Sequence, residues 1–122
     1  MHIRTTKAPS VSLIRLRTPY QGLVTITAPA GLFRAIGMPA RHADHLPHIV
    51  TVTQSEGDRI VSQLTAEVMA QSIVAEVRRT GGYCDHAALR RRGWPQRVID
   101  RLGGLARDLA GPRVAAVNKA AA

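Results

Sequence analysis

Residues 84–110, CDHAALRRRGWPQRVIDRLGGLARDLA, combine helix caps, a turn, a periodic apolar stripe and clustered charge. Asp85 is a favoured residue at a helix N-cap, because its carboxylate accepts from the free amides of the first turn. Gly93 suits the left-handed position that ends a helix, and Pro95 suits the start of the next one. The stretch therefore predicts a short helix over 86–92, a tight turn and a second, longer helix.

The second helix of this stretch is predicted to be amphipathic and to end at Gly111-Pro112. Its apolar stripe repeats at spacings of four, three and four, which is the period of one buried helix face. The stripe consists of Val98, Leu102, Leu105 and Leu109, widened by Ile99 and Ala106. Polar residues occupy the opposite side, namely Gln96, Arg97, Asp100, Arg101 and Arg107. Within the helix, the pair Gly103-Gly104 predicts a kink or a close approach to a neighbouring element.

This unit resembles the helix-turn-helix of bacterial and phage DNA-binding proteins, in which a short helix, a glycine turn and a longer amphipathic helix follow one another. A helix predicted over 58–80 supplies the preceding member of that three-helix order. The resemblance implies that the start of the second helix reaches base edges and that the end of the first contacts phosphates. The residues expected at base edges are Gln96, Arg97, Asp100 and Arg101. Those expected at phosphates are Arg90, Arg91 and Arg92.

The charge of the chain also indicates an anionic partner. Its formal net charge is +9 and its pI about 11.4, carried by 15 Arg and 2 Lys. The planar fork of Arg binds phosphate oxygens bidentately, which makes duplex DNA the expected partner. Two alternatives stay open. A GC-rich genome inflates Arg content, and an interaction or assembly protein, for instance an accessory component of a phage particle, would dock the same Arg face on an acidic protein.

The rest of the chain predicts an α+β fold that is mainly helical. Its 122 residues suit one domain, with an N-terminal half of short strands and loops and a C-terminal half of three helices. β-branched residues predict strands over 11–17, 23–28 and 49–53, with one or two helical turns over 31–39. We expect a flexible basic arm over 1–10, a single domain over 11–110 and a flexible tail over 111–122.

The long helix predicted over 58–80 is apolar on two sides. Ile60, Leu64 and Val68 point one way, whereas Met69 and the residues one and two turns after it point roughly the opposite way. A helix that is apolar on two sides must be covered on two sides. We therefore expect a homodimer in which a second copy covers the side that carries Met69.

Few residues suggest chemistry. The loop RHADHLPHI places His42, His45 and His48 near Asp44, but no recognised metal-ligand spacing occurs, so no metal or other cofactor is predicted. Cys84 is the only cysteine, is interpreted as an apolar helix-flanking residue rather than a nucleophile, and allows no internal disulfide. The sequence therefore predicts a non-enzymatic, cytoplasmic protein that does not associate with membranes.

Overall fold

The structure is a computed structural model that describes residues 14–16 and 22–121, and it confirms the α+β, mainly helical fold. The elements are β1 (Arg15–Leu16), β2 (Leu23–Pro29), α1 (Ala30–Ala35), β3 (Pro47–Thr53), α2 (Gln54–Thr80), α3 (His86–Arg91) and α4 (Gln96–Ala121). The predicted arm over 1–10 and most of the first predicted strand lie outside the described residues. None of the described helices is long and apolar enough to cross a membrane.

The three strands form one antiparallel sheet with β2 in the middle. Arg15 of β1 lies opposite Thr27, and at the other edge of β2 Leu23 lies opposite Thr53 of β3. Alternation along β2 decides which face is buried, because successive side chains of a strand point to opposite faces. Val24, Ile26 and Ala28 face the core, and the threonines between them face outward.

Helix α1 is a short element that closes one end of the sheet. It follows β2 directly, and Gly37, in the left-handed region at φ 88°, stands just after its end. Phe33 is fully buried and belongs to the same core as Ile26 of β2. The prediction of one or two helical turns in this segment is therefore confirmed.

Helix α2 begins four residues earlier than predicted because the end of β3 also caps the helix. The side-chain oxygen of Thr53 accepts a hydrogen bond from the backbone amide of Glu56 at 3.3 Å. At the other end, Gly81 adopts the left-handed conformation at φ 77° and closes the helix as predicted. The first turn lies close to the sheet, since a Cβ added at Gly57 would stand 2.4 Å from Cγ2 of Val24.

Both apolar sides of α2 are covered within the same chain. Ile60 and Leu64 on one side and Met69 and Val77 on the other are all buried. The elements that pack against α2 are α4, α3, α1 and the two longer strands. The uncovered apolar side that motivated the predicted homodimer is therefore absent among the described residues, because Met69 and Val77 lie in the core of one copy.

Helix α4 continues through Pro112, so the prediction that Gly111-Pro112 ends it is wrong. A proline inside a helix removes one backbone hydrogen bond and normally breaks the helix. Here tertiary contacts hold the helix beyond the proline. The guanidinium of Arg113 donates to both carboxylate oxygens of the buried Glu67, at 2.7 and 3.0 Å. The residues assigned to the tail up to Ala121 therefore continue α4.

Candidate nucleic-acid interface

The α3–α4 pair is built as the sequence predicts. Asp85 caps α3, and its Oδ1 accepts from the backbone amide of Ala88 at 2.8 Å. Gly93 has φ 100°, a left-handed conformation that glycine adopts without strain. The backbone amide of Trp94 then donates to the carbonyl of Leu89 at 3.1 Å, which closes the turn. The chain re-enters a helix one residue after Pro95.

Trp94 anchors this turn to α2. Its side chain is only 2% exposed, and its indole Nε1 donates to Oγ of Ser72 at 3.0 Å. A buried indole N–H requires such a partner, because an unpaired one costs on the order of 1–3 kcal/mol. Trp94 therefore belongs to the core between the helices. The partner Ser72 lies 22 residues earlier, and no sequence signal identified it.

Helix α4 is rotated relative to the predicted apolar stripe. The residues buried along it again repeat at spacings of four, three and four, and they are Ile99, Gly103, Ala106 and Ala110. The predicted leucine stripe lies beside this line, partly exposed, and Leu105 is 42% exposed. Three of the four residues on this buried line are small, while the larger side chains pack along the flank.

The rotation leaves the predicted polar face of α4 exposed. Arg97, Asp100 and Arg101 are all exposed on it, and Arg91 is exposed at the last residue of α3. Among the described residues, Arg91, Arg97 and Arg101 have no hydrogen-bond or salt-bridge partner. We refer to them below as the three exposed arginines. Among the predicted site residues, these three arginines have guanidinium groups that are available to bind another molecule.

Gln96 is held by its neighbours rather than pointing freely outward. Its Nε2 donates to Oδ1 of Asp100 at 2.8 Å and lies 3.5 Å from Nδ1 of His86. Its Oε1 accepts a hydrogen bond from Arg90. These contacts tie the start of α4 to α3. Gln96, Asp100 and Arg90 therefore bind one another at the junction of α3 and α4, and the base and phosphate contacts that the sequence predicts for them stay predictions.

Arg92 is engaged with a buried carboxylate on α2. Its Nε donates to Oε1 of Glu76 at 3.0 Å, and Arg79 donates to the same carboxylate. Hydrogen bonds from Arg79 and then Arg92 lower the pKa of Glu76 to about 2, against the cost of its burial. Arg92 thus attaches the end of α3 to α2. The sequence predicted a phosphate contact for this residue.

The other residues considered for chemistry are Cys84 and the histidines of the loop before β3. Burial raises the pKa of the Cys84 thiol, which is the opposite of what a nucleophilic cysteine requires. The rings of His42 and His48 lie 5.6 Å apart, and His48 meets Phe33 edge to face at 5.2 Å. Within the described residues, no group of three or more His, Cys, Asp or Glu side chains is close enough to hold a metal ion.

Comparisons of the chain with protein-family models, with curated proteins and with solved structures found no match.

Proposed function

We propose that this protein binds duplex DNA through the α3–α4 pair, with Arg91, Arg97 and Arg101 as the residues that contact it. The observation that supports the proposal is the exposure of these three guanidinium groups beside arginines that are used internally. Arg90, Arg92 and Arg107 of the same pair donate to Gln96, Glu76 and the carbonyl of Cys84. An unpaired guanidinium is suited to phosphate oxygens and to the paired acceptors of guanine.

The three exposed arginines have different roles in this proposal. Arg97 and Arg101 lie one turn apart near the start of α4, where a helix inserted in the major groove reaches base edges. Arg91 lies at the end of α3 and contacts a phosphate, which sets register without reading sequence. Gln96 and Asp100 keep α4 in position. We also propose that the protein is located in the cytoplasm, where it contacts DNA.

Single substitutions to Ala at Arg97, Arg101 and Arg91 test the proposal. Loss of Arg97 or Arg101 is expected to weaken binding to a preferred site by about 1–3 kcal/mol and to relax sequence preference. Loss of Arg91 is expected to weaken binding to all sequences alike. Fluorescence anisotropy with labelled duplexes measures both effects. Folding stability is expected to change by only about 0.5 kcal/mol, because none of the three side chains is buried.

Arg41→Ala provides the matched control. Arg41 is exposed and has no partner among the described residues, but it lies in the loop before β3 instead of on the helix pair. The control is expected to bind as the wild type does. Equal losses at Arg41 and Arg97 would point to non-specific attraction by total charge. Unchanged binding in all the variants would contradict the proposal and would favour an acidic protein partner for the same arginines.

A further inference from the structure

Strand β3 is an edge strand with little protection against pairing. Among the described residues it pairs only with β2, and its seven residues, PHIVTVT, include no Asp, Glu, Lys or Arg. Edge strands usually carry charged residues, prolines or bulges, because their free backbone groups otherwise pair with another chain. Pro47, at the first position, is the one such device within β3. The edge is thus open to a further strand.

The backbone hydrogen bonds identify which residues of β3 face this open edge. The amide of Ala30 donates to the carbonyl of Leu46 at 2.9 Å, which continues the β2–β3 register by one pair. Hydrogen-bonded and non-hydrogen-bonded pairs alternate along an antiparallel ladder. Counting from Leu46, every second residue turns its backbone groups towards β2. Ile49, Thr51 and Thr53 consequently turn theirs away from it.

A side-chain contact agrees with this assignment. The hydroxyl oxygens of Thr25 and Thr51 lie 3.3 Å apart across the two strands. Side chains approach more closely in non-hydrogen-bonded pairs than in hydrogen-bonded ones. The Thr25–Thr51 pair is therefore of the non-hydrogen-bonded kind, and the backbone N–H and C=O of Thr51 face outward.

The core is also less completely covered at this edge. The inward side chains of β2, such as Val24 and Ile26, are at most 1% exposed, whereas Val50 and Val52 of β3 are only half-buried. On the outer face, Ile49 is 61% exposed. A strand added beside β3 would cover this apolar surface while satisfying the outward backbone groups.

We propose that β3 pairs antiparallel with β3 of a second copy about a twofold axis at Thr51, which joins two three-stranded sheets into one. Thr51 then lies opposite the partner's Thr51, and Ile49 lies opposite the partner's Thr53. This register pairs Thr51 with the partner's Thr51 through both backbone groups. It pairs Ile49 with the N–H of the partner's Thr53, because the Thr53 carbonyl, at the N-cap, accepts the first backbone bond of α2. It leaves out Pro47, which has no N–H to donate.

Charge favours a second copy as the occupant. Antiparallel pairing brings the carboxyl end of one β3, followed by Glu56 and Asp58 of α2, beside the amino end of the other. Arg59 pairs with Glu56, which leaves Asp58 as the acid that is not neutralised at the carboxyl end. The amino end is preceded by the exposed Arg41, while Asp44 is neutralised there by Arg34. Two molecules that each carry a net charge of +9 would thus meet along their uncharged strands, with opposite charges at the two ends.

Disulfide cross-linking tests the proposed register. In a Cys84→Ala background, Thr51→Cys is expected to form a covalent dimer under mild oxidation, because hydrogen-bonded antiparallel pairs separate Cα atoms by about 5.5 Å. Ile49→Cys is the matched control. Its copies would lie about 14 Å apart, since four residues separate them along the strand, so no disulfide forms between them. Equal cross-linking of the two variants would contradict the register.

Sedimentation equilibrium tests the dimer itself. The wild-type chain is expected to show a species of twice 13.2 kDa at about 100 µM. Thr51→Pro removes an outward N–H without breaking the ladder to β2. Ile49→Lys places a charge on the edge strand. Each variant is expected to weaken the dimer at least about tenfold. Tyr83→Lys, on the loop after α2, controls for added charge. A wild-type chain that sediments only at 13.2 kDa would overturn the proposal.

Discussion

The arginines of this protein fall into two groups that differ in their surroundings. Some hold the fold together by binding carboxylates or carbonyl groups, and these are Arg34, Arg59, Arg79, Arg90, Arg92, Arg107 and Arg113, with Arg90 bound to an amide oxygen. Others are exposed without a partner among the described residues, and these are Arg41, Arg78, Arg91, Arg97 and Arg101. A high pI therefore does not by itself measure binding capacity here, because many of the described guanidinium groups are already paired within the chain.

Glu76 makes the stability of the protein depend on pH in the acid range. Its pKa is lowered from 4.5 to about 2 by Arg79 and Arg92, so the folded state favours the ionised carboxylate. The resulting stabilisation is present above pH 4.5 and is lost as pH falls towards 2. We expect the free energy of unfolding to decrease between about pH 5 and pH 2, and to decrease less in Glu76→Gln. Urea unfolding across this range measures the difference.

Asp108→Asn is the control for the Glu76 prediction. Asp108 is an exposed carboxylate on α4 without a partner among the described residues. Its variant is expected to keep the pH dependence of the wild type. If Glu76→Gln followed the wild-type curve as well, the ion pairs at the end of α2 would not contribute to folding stability.

Two glycines are expected to respond in opposite ways to substitution by Ala. A Cβ at Gly57 would stand 2.4 Å from Val24, so Gly57→Ala is expected to destabilise the fold by about 1–3 kcal/mol. No atom lies within 4 Å of a Cβ at Gly104, in the middle of α4. Gly104→Ala is therefore expected to stabilise the fold by about 1 kcal/mol through helix propensity. Thermal unfolding of both variants checks this, and a stabilised Gly57→Ala would contradict the close contact.

At the scale of elements, α4 depends on the ion pair that follows its proline. Arg113→Ala would leave Glu67 buried and without its partner, and removing one member of a buried pair is strongly destabilising. We expect a loss of about 3 kcal/mol, the lower end of the usual range, because the Arg113 side chain is 40% exposed. Urea unfolding measures this loss.

A second substitution separates charge burial from packing at this pair. Glu67→Leu combined with Arg113→Met replaces both charges with apolar side chains, which removes the unpaired carboxylate. The double variant is expected to recover most of the stability that Arg113→Ala loses. If it is as unstable as the single variant, packing along α4 and not the carboxylate explains the loss.

The sequence predicted local caps and turns better than the centre of the buried face of α4. Asp85 and Gly93 act through local backbone geometry, so the cap of α3 and the turn after it were predictable from residue type alone. The buried line of α4 was predicted only in part: Ile99 and Ala106 were included in the apolar face, but the leucines carry more hydrophobic signal than Gly103 and Ala110, so the face was centred on them. The end of α4 was predicted wrongly at Pro112 for a related reason. Proline locally favours the end of a helix, whereas the contact of Arg113 with Glu67, which outweighs this effect, joins residues that are distant in sequence.

At the scale of the whole molecule, the fold class followed from sequence pattern but the partners of charged residues did not. Arg92 looked equivalent to Arg91 in the run RRR, and both are exposed, yet Arg92 donates to Glu76, 16 residues earlier, while Arg91 has no partner among the described residues. Only the packing of α3 on α2 distinguishes them. The uncovered side of α2 that motivated the predicted homodimer was misjudged for a similar reason, since Met69 lies in the core formed within one chain.

The dependence of DNA affinity on salt tests the central proposal most directly. Each phosphate neutralised on B-DNA contributes about −0.9 to the slope of log affinity against log salt concentration. On random duplex, where no preferred base is present, Arg97 and Arg101 are expected to contact phosphates as Arg91 does. Three such contacts predict a slope of about −3 for the wild type, becoming about one unit flatter in Arg91→Ala and unchanged in Arg41→Ala. No measurable affinity for duplex DNA at low salt, or a slope that Arg91→Ala leaves unchanged, would contradict DNA binding through the α3–α4 pair.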